Sequence, residues 1–376
     1  MKKITLLFFL AVATCRLFAQ TVTTVASNVP IDDDLILAPD GSLIGSHYNG
    51  TALSKLSLDG ASEVFATGFD TPNGLAYDSQ GRLFMADNRG NKIYKFNAEG
   101  DFEVFAEFSS PSGLLREWDS DTLIATSYAG DKLAKIAPDG SITDFLADSR
   151  LNGPVGLCYD EAHNLYIANF DDRRIFKLTP EGELSDFAQP GTGGWLGFIA
   201  YAQGYIYATL FSRHQIWRID SSGQAEQWLG STAGSADGDA SEAKFNGPNG
   251  IRASSTGDTL FVSDFNTRSV RMVTGLNPVV SGREVLDAGI RLSVSPNPVS
   301  SPVASVRISL PGSTRATLKL LDSQGRLVRI VIADKLLPAG AHEFELPVNG
   351  LTPGIYHCRL SGTRGEALTQ QLVIGQ

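Results

Sequence analysis

PNGLAYDSQGRLFMADNRGNKIYKFNAEGDFEVFAEF, residues 72 to 108, contains four short runs in which apolar residues alternate with others. NGLAYD, RLFMAD, KIYKFN and FEVFAEF each have strand length and strand period, and turns at 79–81, 89–91 and 98–100 separate them. The unit returns along the chain. Its second run starts at an apolar residue behind a Gly or Asp turn, and the equivalents are Leu43, Leu83, Leu123, Leu165, Ile206 and Leu260, at steps of 40, 40, 42, 41 and 54. Four alternating runs repeated at about 40 residues predict the four-stranded blades of a β-propeller.

The last run of each unit has its own phrase: EVFAT at 63–67, EVFAE at 103–107, TDFLA at 143–147, SDFAQ at 185–189 and EQWLG at 226–230. The sixth unit lacks one, because SVRMVTG leads into a Pro-containing connection. The missing copy is TTVAS at 23–27. The first strand therefore completes the last blade, which removes two exposed sheet edges. The expected fold is all-β: a six-bladed propeller over 20–278 closed by its N-terminal strand, a linker at 279–291, and a small Ig-like sandwich from 292 to 376.

The chain begins MKKITLLFFLAVATCRLFAQ, with two lysines, an apolar run and a small residue at Ala19, the layout of a cleaved secretory signal over 1–19. No later stretch reaches the roughly 20 apolar residues that a membrane helix needs. Of the three cysteines, Cys158 and Cys358 lie beyond this segment, in strand-like runs far apart, and read as buried thiols. Segments 1–19 and 292–376 each carry three excess positive charges, so a total of −10 leaves −16 on the body between them. Such a body disfavours phosphate backbones, and nucleic acid is not an expected partner.

The stretches 72–100, AGSADGDASEAKFNGPNGI at 233–251 and LFVSDFNTRSVRMV at 260–273 resemble NHL-repeat propellers and, more loosely, the regucalcin/gluconolactonase (SMP-30) superfamily. The tail has alternating runs with turns at 311–312, 323–325 and 350–354. Pro296-Asn297-Pro298, Asp322-x-x-Gly325-Arg326 and Leu351-x-x-Gly354-Ile355-Tyr356 resemble the type A sorting domain of type IX secretion cargo, known from Bacteroidota. That resemblance implies the type IX machinery as a partner through 292–376, passage through the periplasm, and a final place on the outer-membrane surface or outside the cell.

Three sets of positions, two of them adjacent in the chain, converge on one face of such a propeller. The x place of the recurring P-x-G, located by its spacing from the anchors where Pro or Gly is absent, reads Asp33, Asn73, Ser112, Val155, Leu196 and Asn249 around the six units. Gly74, Gly113, Gly156 and Gly250 are expected to let the backbone turn there. Four residues after each anchor stand His47, Asp87, Ser127, Asn169, Leu210 and Asp264, followed by Tyr48, Asn88, Tyr128, Phe170, Phe211 and Phe265. The expected binding residues at this mouth are Asn73, Asn249, Ser112, Asp87, Asn169, Asp264, Tyr48 and Tyr128, against an apolar wall of Val155, Leu196, Leu210 and the aromatics. The aromatics could equally serve packing between blades. Asp87 and Asp264 stand where NHL repeats commonly carry an Asp that ties off backbone donors. The gluconolactonase resemblance implies a divalent cation such as Ca²⁺ at the mouth, held by Asp33, Asn73 and Asn249, although the Glu that group carries on the opening strand is absent. Asp33 and His47 are the candidates for acid–base work.

Two readings follow: a secreted or surface propeller that binds a small molecule, glycan or protein at the mouth, and a divalent-metal hydrolase of the sugar-lactonase kind. A ring-opening lyase stands third, since the histidines show no catalytic pattern. No G-x-S-x-G elbow, H-E-x-x-H or phosphate-binding loop is present.

Overall fold

The structure, a computed structural model, describes residues 20–276, 290–297, 299, 302–322, 327–352, 354–362 and 367–374. The expected signal segment, most of the expected linker and the turn at 323–325 lie outside the described residues. Residues 35–67, 72–107, 111–147, 154–188 and 196–230 each form an antiparallel four-stranded sheet with its strands in chain order; these are the first to fifth sheets. The sixth begins with Pro248–Ala253, Thr259–Asp264 and Ser269–Thr274, and its next strand is Thr21–Ala26. Thr21 pairs with Thr274 and Thr23 with Met272, so the N-terminal strand takes the position that the missing phrase predicted. A two-residue strand, Gly238–Asp239, lies outside it.

Burial follows from this stacking. Phe84 and Ala86 of the second sheet share a core with Leu123 and Ala125 of the third. The second strand of the second sheet, Leu83–Asp87, is buried along its whole length, whereas the outer strand Phe102–Glu107 opens with three exposed residues. Innermost strands of successive sheets touch, and Leu35–Leu37 touches both Pro72–Tyr77 and Pro248–Ala253. The only helix among the described residues is a single 3₁₀ turn, Phe211–Arg213. Cys158 and Cys358 are free, buried thiols, as expected.

The P-x-G phrase marks a bulge. In the second sheet Pro72 pairs with Asp87 and Leu75 with Met85, so three steps on the inner strand match two on its neighbour. The same extra residue occurs in the third, fourth, fifth and sixth sheets. A bulge re-aims the side chain beside it, which turns the x residue toward the axis. The glycines act differently from expectation, because none of Gly74, Gly113, Gly156 and Gly250 has positive φ. A Cβ at Gly113 would lie 1.9 Å from the Val155 carbonyl oxygen, and one at Gly250 would lie 2.2 Å from that of Asp33. They are small because the neighbouring inner strand passes so close.

The fifth sheet departs from the spacing. Its first hairpin, Ala202 to Tyr205, is shorter, and Leu196 pairs with Leu210 where Pro72 pairs with Asp87. Leu196 therefore holds the Pro place, Gly197 the x place and Phe198 the Gly place. Leu196 and Leu210 are buried in the core, which corrects their expected position at the mouth.

In the tail, Arg291–Ser295, Val303–Leu310 and Gly340–Pro347 form one sheet. Thr314–Asp322, Leu327–Leu337, Gly354–Gly362 and Ala367–Ile374 form a second. Val306, Ile308 and Leu346 from the first and Leu318, Leu320 and Cys358 from the second share one apolar core.

Candidate functional site

The second ring of positions belongs to the scaffold. Asp87 accepts the backbone N–H groups of Asp70 (3.0 Å) and Thr71 (2.7 Å), which lead into the inner strand of its own sheet. Asp264 accepts from the Asn246 N–H (3.0 Å), Asn169 donates to the Arg150 carbonyl (2.9 Å) and Ser127 donates to that of Ser109 (2.7 Å). Each ties down the loop that feeds the bulge. Gly90, Gly130 and Gly50 must then stay small, because a Cβ would meet Asp87, Ser127 and His47. Asp87, Asn169 and Asp264 do not line the mouth cavity, and the bonds of Asp87 and Asp264 follow the backbone-tying reading.

His47 places Nε2 3.3 Å from Asp32 Oδ2 and also lies off the cavity. Burial raises the Asp32 carboxyl above its ordinary range, opposed by the Tyr48 N–H, His47 and Arg268. Asp264 is more deeply enclosed. Its carboxyl is pushed up to about 6 by burial, against the Asn246 N–H and Arg271. Arg271, itself fully buried, bonds Asp264 (3.2 Å), Asp237 (2.7 Å) and the carbonyls of Lys244 and Ala236. It thereby fixes the segment 236–244, part of the recurring family phrase. Asp237 in turn accepts from the N–H and hydroxyl of Thr24 on the N-terminal strand.

The first and third sets of positions meet in a cavity of about 250 Å³ that draws residues from all six sheets. Asp33, Asn73, Ser112 and Asn249 form its polar arc. Tyr48, Tyr128, Phe170, Phe211 and Phe265, all aligned by the repeat, form an aromatic belt, with Asn88 in the sixth place. Phe265 lies 5.3 Å from Phe211 and 6.5 Å from Tyr48 between ring centroids, and Phe170 lies 6.2 Å from Tyr128. Trp195 and Phe198 join this wall and were not foreseen. Trp195, 48% exposed, stacks on Phe170 at 5.9 Å. The run GTGGWLGF held both residues in plain view, but the nine-residue spacing drew attention to Leu196.

Asp32, Asp33 and Asp34 are all buried and face three ways. Asp34 is paired with Arg252 (2.6 Å) and accepts the Leu75 N–H (2.9 Å). Asp33 Oδ1 accepts the Asn249 amide N–H at 2.6 Å, while Oδ2 has no partner. Burial, then Asp32 and Asp34, hold the Asp33 carboxyl well above the ordinary range, and the Asn249 bond works against them. Asn73 Oδ1 is likewise buried without a partner. A divalent cation would find two unpartnered oxygens here, and the Asn249 amide turns nitrogen toward Asp33. That donor set falls short of the six to eight oxygens Ca²⁺ takes. Among the described residues no group of three or more His, Cys, Asp or Glu is placed to hold a metal.

The propeller-like fold recurs in solved structures of low sequence identity. A catalytically inactive histidine-to-alanine variant of virginiamycin B lyase from Staphylococcus aureus, solved with quinupristin, is 19% identical over 66% of this chain and 81% of that one, with a TM-score of 0.51. An auxiliary nutrient binding protein from Bacteroides thetaiotaomicron is 13% identical over 68% and 76%, with a TM-score of 0.60. A gluconolactonase from Xanthomonas campestris is 17% identical over 69% and 91%, with a TM-score of 0.57. No curated protein gives a significant match. Residues 293–375 match the secretion system C-terminal sorting domain, so the chain is cargo of that machinery, bound for the cell surface or beyond. Among the described residues no helix is long and apolar enough to cross a membrane. Residues 66–263 match the virginiamycin B lyase family, and the chain belongs to it.

Proposed function

We propose that this exported protein captures a small, ring-bearing molecule in the mouth cavity. The observation that carries this reading is the union, in one cavity, of an aromatic wall and a polar arc with two unpartnered acceptors, Asp33 Oδ2 and Asn73 Oδ1. Apolar walls with a few convergent polar groups are the usual make-up of small-molecule sites. The same proposal takes the six sheets as blades of a closed propeller over 20–278, joined by 279–291 to an Ig-like sorting domain over 292–376.

Quinupristin, which the Staphylococcus aureus lyase structure contains, is the first probe. Titration of the full chain should quench Trp195 fluorescence saturably, and Trp195→Ala should abolish the quench. A ring-opened product in the chromatogram would extend the reading to lyase chemistry. Absence of any saturable quench would remove this cavity as a receptor for such rings. A saturable calcium titration that Asp33→Asn abolishes would instead support the second reading, a divalent-metal hydrolase, against the short donor set.

A further inference from the structure

We infer that the molecule taken up by the mouth cavity is an organic cation, an ammonium carried on an aromatic or aliphatic body; this rests on the proposed capture function. The starting point is a count of counter-charges. Asp34 has Arg252 and Asp264 has Arg271, while Asp32 accepts the Tyr48 N–H and lies 3.3 Å from His47 Nε2. Asp87 has three backbone N–H groups. Asp33, 2% exposed and flanked by Asp32 and Asp34, has one neutral amide and no cation. A buried carboxyl without a counter-charge is held toward its neutral form, and a cation entering the cavity would favour its ionisation and supply the partner that the fold withholds.

Two features of the cavity specify an organic ion. Asp33 Oδ2 and Asn73 Oδ1 are both unpartnered acceptors, which suits the several N–H donors of an ammonium. The facing wall is aromatic, with Tyr48, Phe211, Phe265 and Trp195 presenting ring faces and edges to the same space. Rings around a cation are the recurring means of holding ammonium groups, and they offer nothing to a hydrated metal ion. The strongly acidic body adds a favourable field for a cation approaching from solvent.

The full chain is titrated calorimetrically with 2-phenylethylammonium and with 2-phenylethanol, which share a ring and chain length and differ in charge. The ammonium should bind at least about tenfold more tightly, the combined effect expected of a paired charge and a cation–π contact. Asp33→Asn, which keeps the shape and removes the charge, should erase that preference. Comparing the two probes on the unaltered protein remains decisive even if the variant fails to fold. Equal affinity for both probes overturns the inference while the capture function stands; binding of neither rejects both. Displacement of the ammonium by calcium at equimolar concentration also overturns it, in favour of the metal reading.

Discussion

At the scale of single residues, the glycines of P-x-G and the buried acids carry the constraints. A methyl group at Gly113 would fall on the Val155 carbonyl oxygen of the adjacent inner strand, a backbone atom that cannot swing aside as a side chain would. Gly113→Ala should lower stability by about 1–3 kcal/mol, an overpacking cost, in denaturant unfolding. Gly312→Ala, where a Cβ meets nothing within 4 Å, should stay within about 0.5 kcal/mol. Asp264 predicts a pH effect. Burial pushes its folded carboxyl up to about 6, while the unfolded one keeps the ordinary value of 3.8. Below the unfolded value both states hold the proton, and its full contribution to stability is present. Between the two values the folded state keeps a proton that the unfolded state has lost, so that contribution falls as pH rises and is gone above about 6. The slope is at most about 1.4 kcal/mol per pH unit. Thermal unfolding from pH 4 to 7 should show this slope in the difference between the unaltered protein and Asp264→Asn; an identical pH course in the two would refute it.

At the scale of elements, Arg271 joins the third strand of the sixth sheet to the 236–244 segment and, through Asp237, to the N-terminal strand. Arg271→Met should cost about 3–5 kcal/mol, because it leaves the Asp264 carboxylate buried without its ion pair. Asp237→Asn, at a half-exposed partner, should cost far less, and chemical denaturation separates the two. The repeat was legible to this depth. Six units, the role of the first strand and the five aromatics of the belt could all be read from periodicity, since strand alternation and blade stacking impose it. The misreadings have specific physical sources. Equal spacing cannot register a hairpin shortened by one residue, so Leu196 was set at the mouth in place of Gly197, and Phe198 went unseen. Polarity at a recurring position does not say which way the residue points: of the two readings open for Asp87 and Asp264, their bonds to backbone N–H groups match the structural one, and Asn169 likewise bonds a backbone carbonyl. The unpaired state of Asp33 was also beyond reach, because Arg252 and His47, which relieve its neighbours, come from other strands.

At the scale of the whole molecule, the chain joins a propeller-like body to a tail with its own apolar core. The tail's family match assigns it to sorting, so deleting 292–376 should retain the protein within the cell envelope and leave its cavity chemistry intact. Fractionation checks the first outcome and the quinupristin titration the second; appearance of the truncated chain outside the cell would contradict the assignment. The pairing of Thr21–Ala26 with Ser269–Thr274 has a consequence in time. The earliest of these strands to leave the ribosome must wait for some 250 residues before its neighbour exists, at synthesis rates of roughly 5–20 residues per second. Contacts so distant along the chain form late and slowly. The emerging polypeptide thus spends its first tens of seconds unable to lock its final sheet, an interval in which it can still be threaded through a narrow opening.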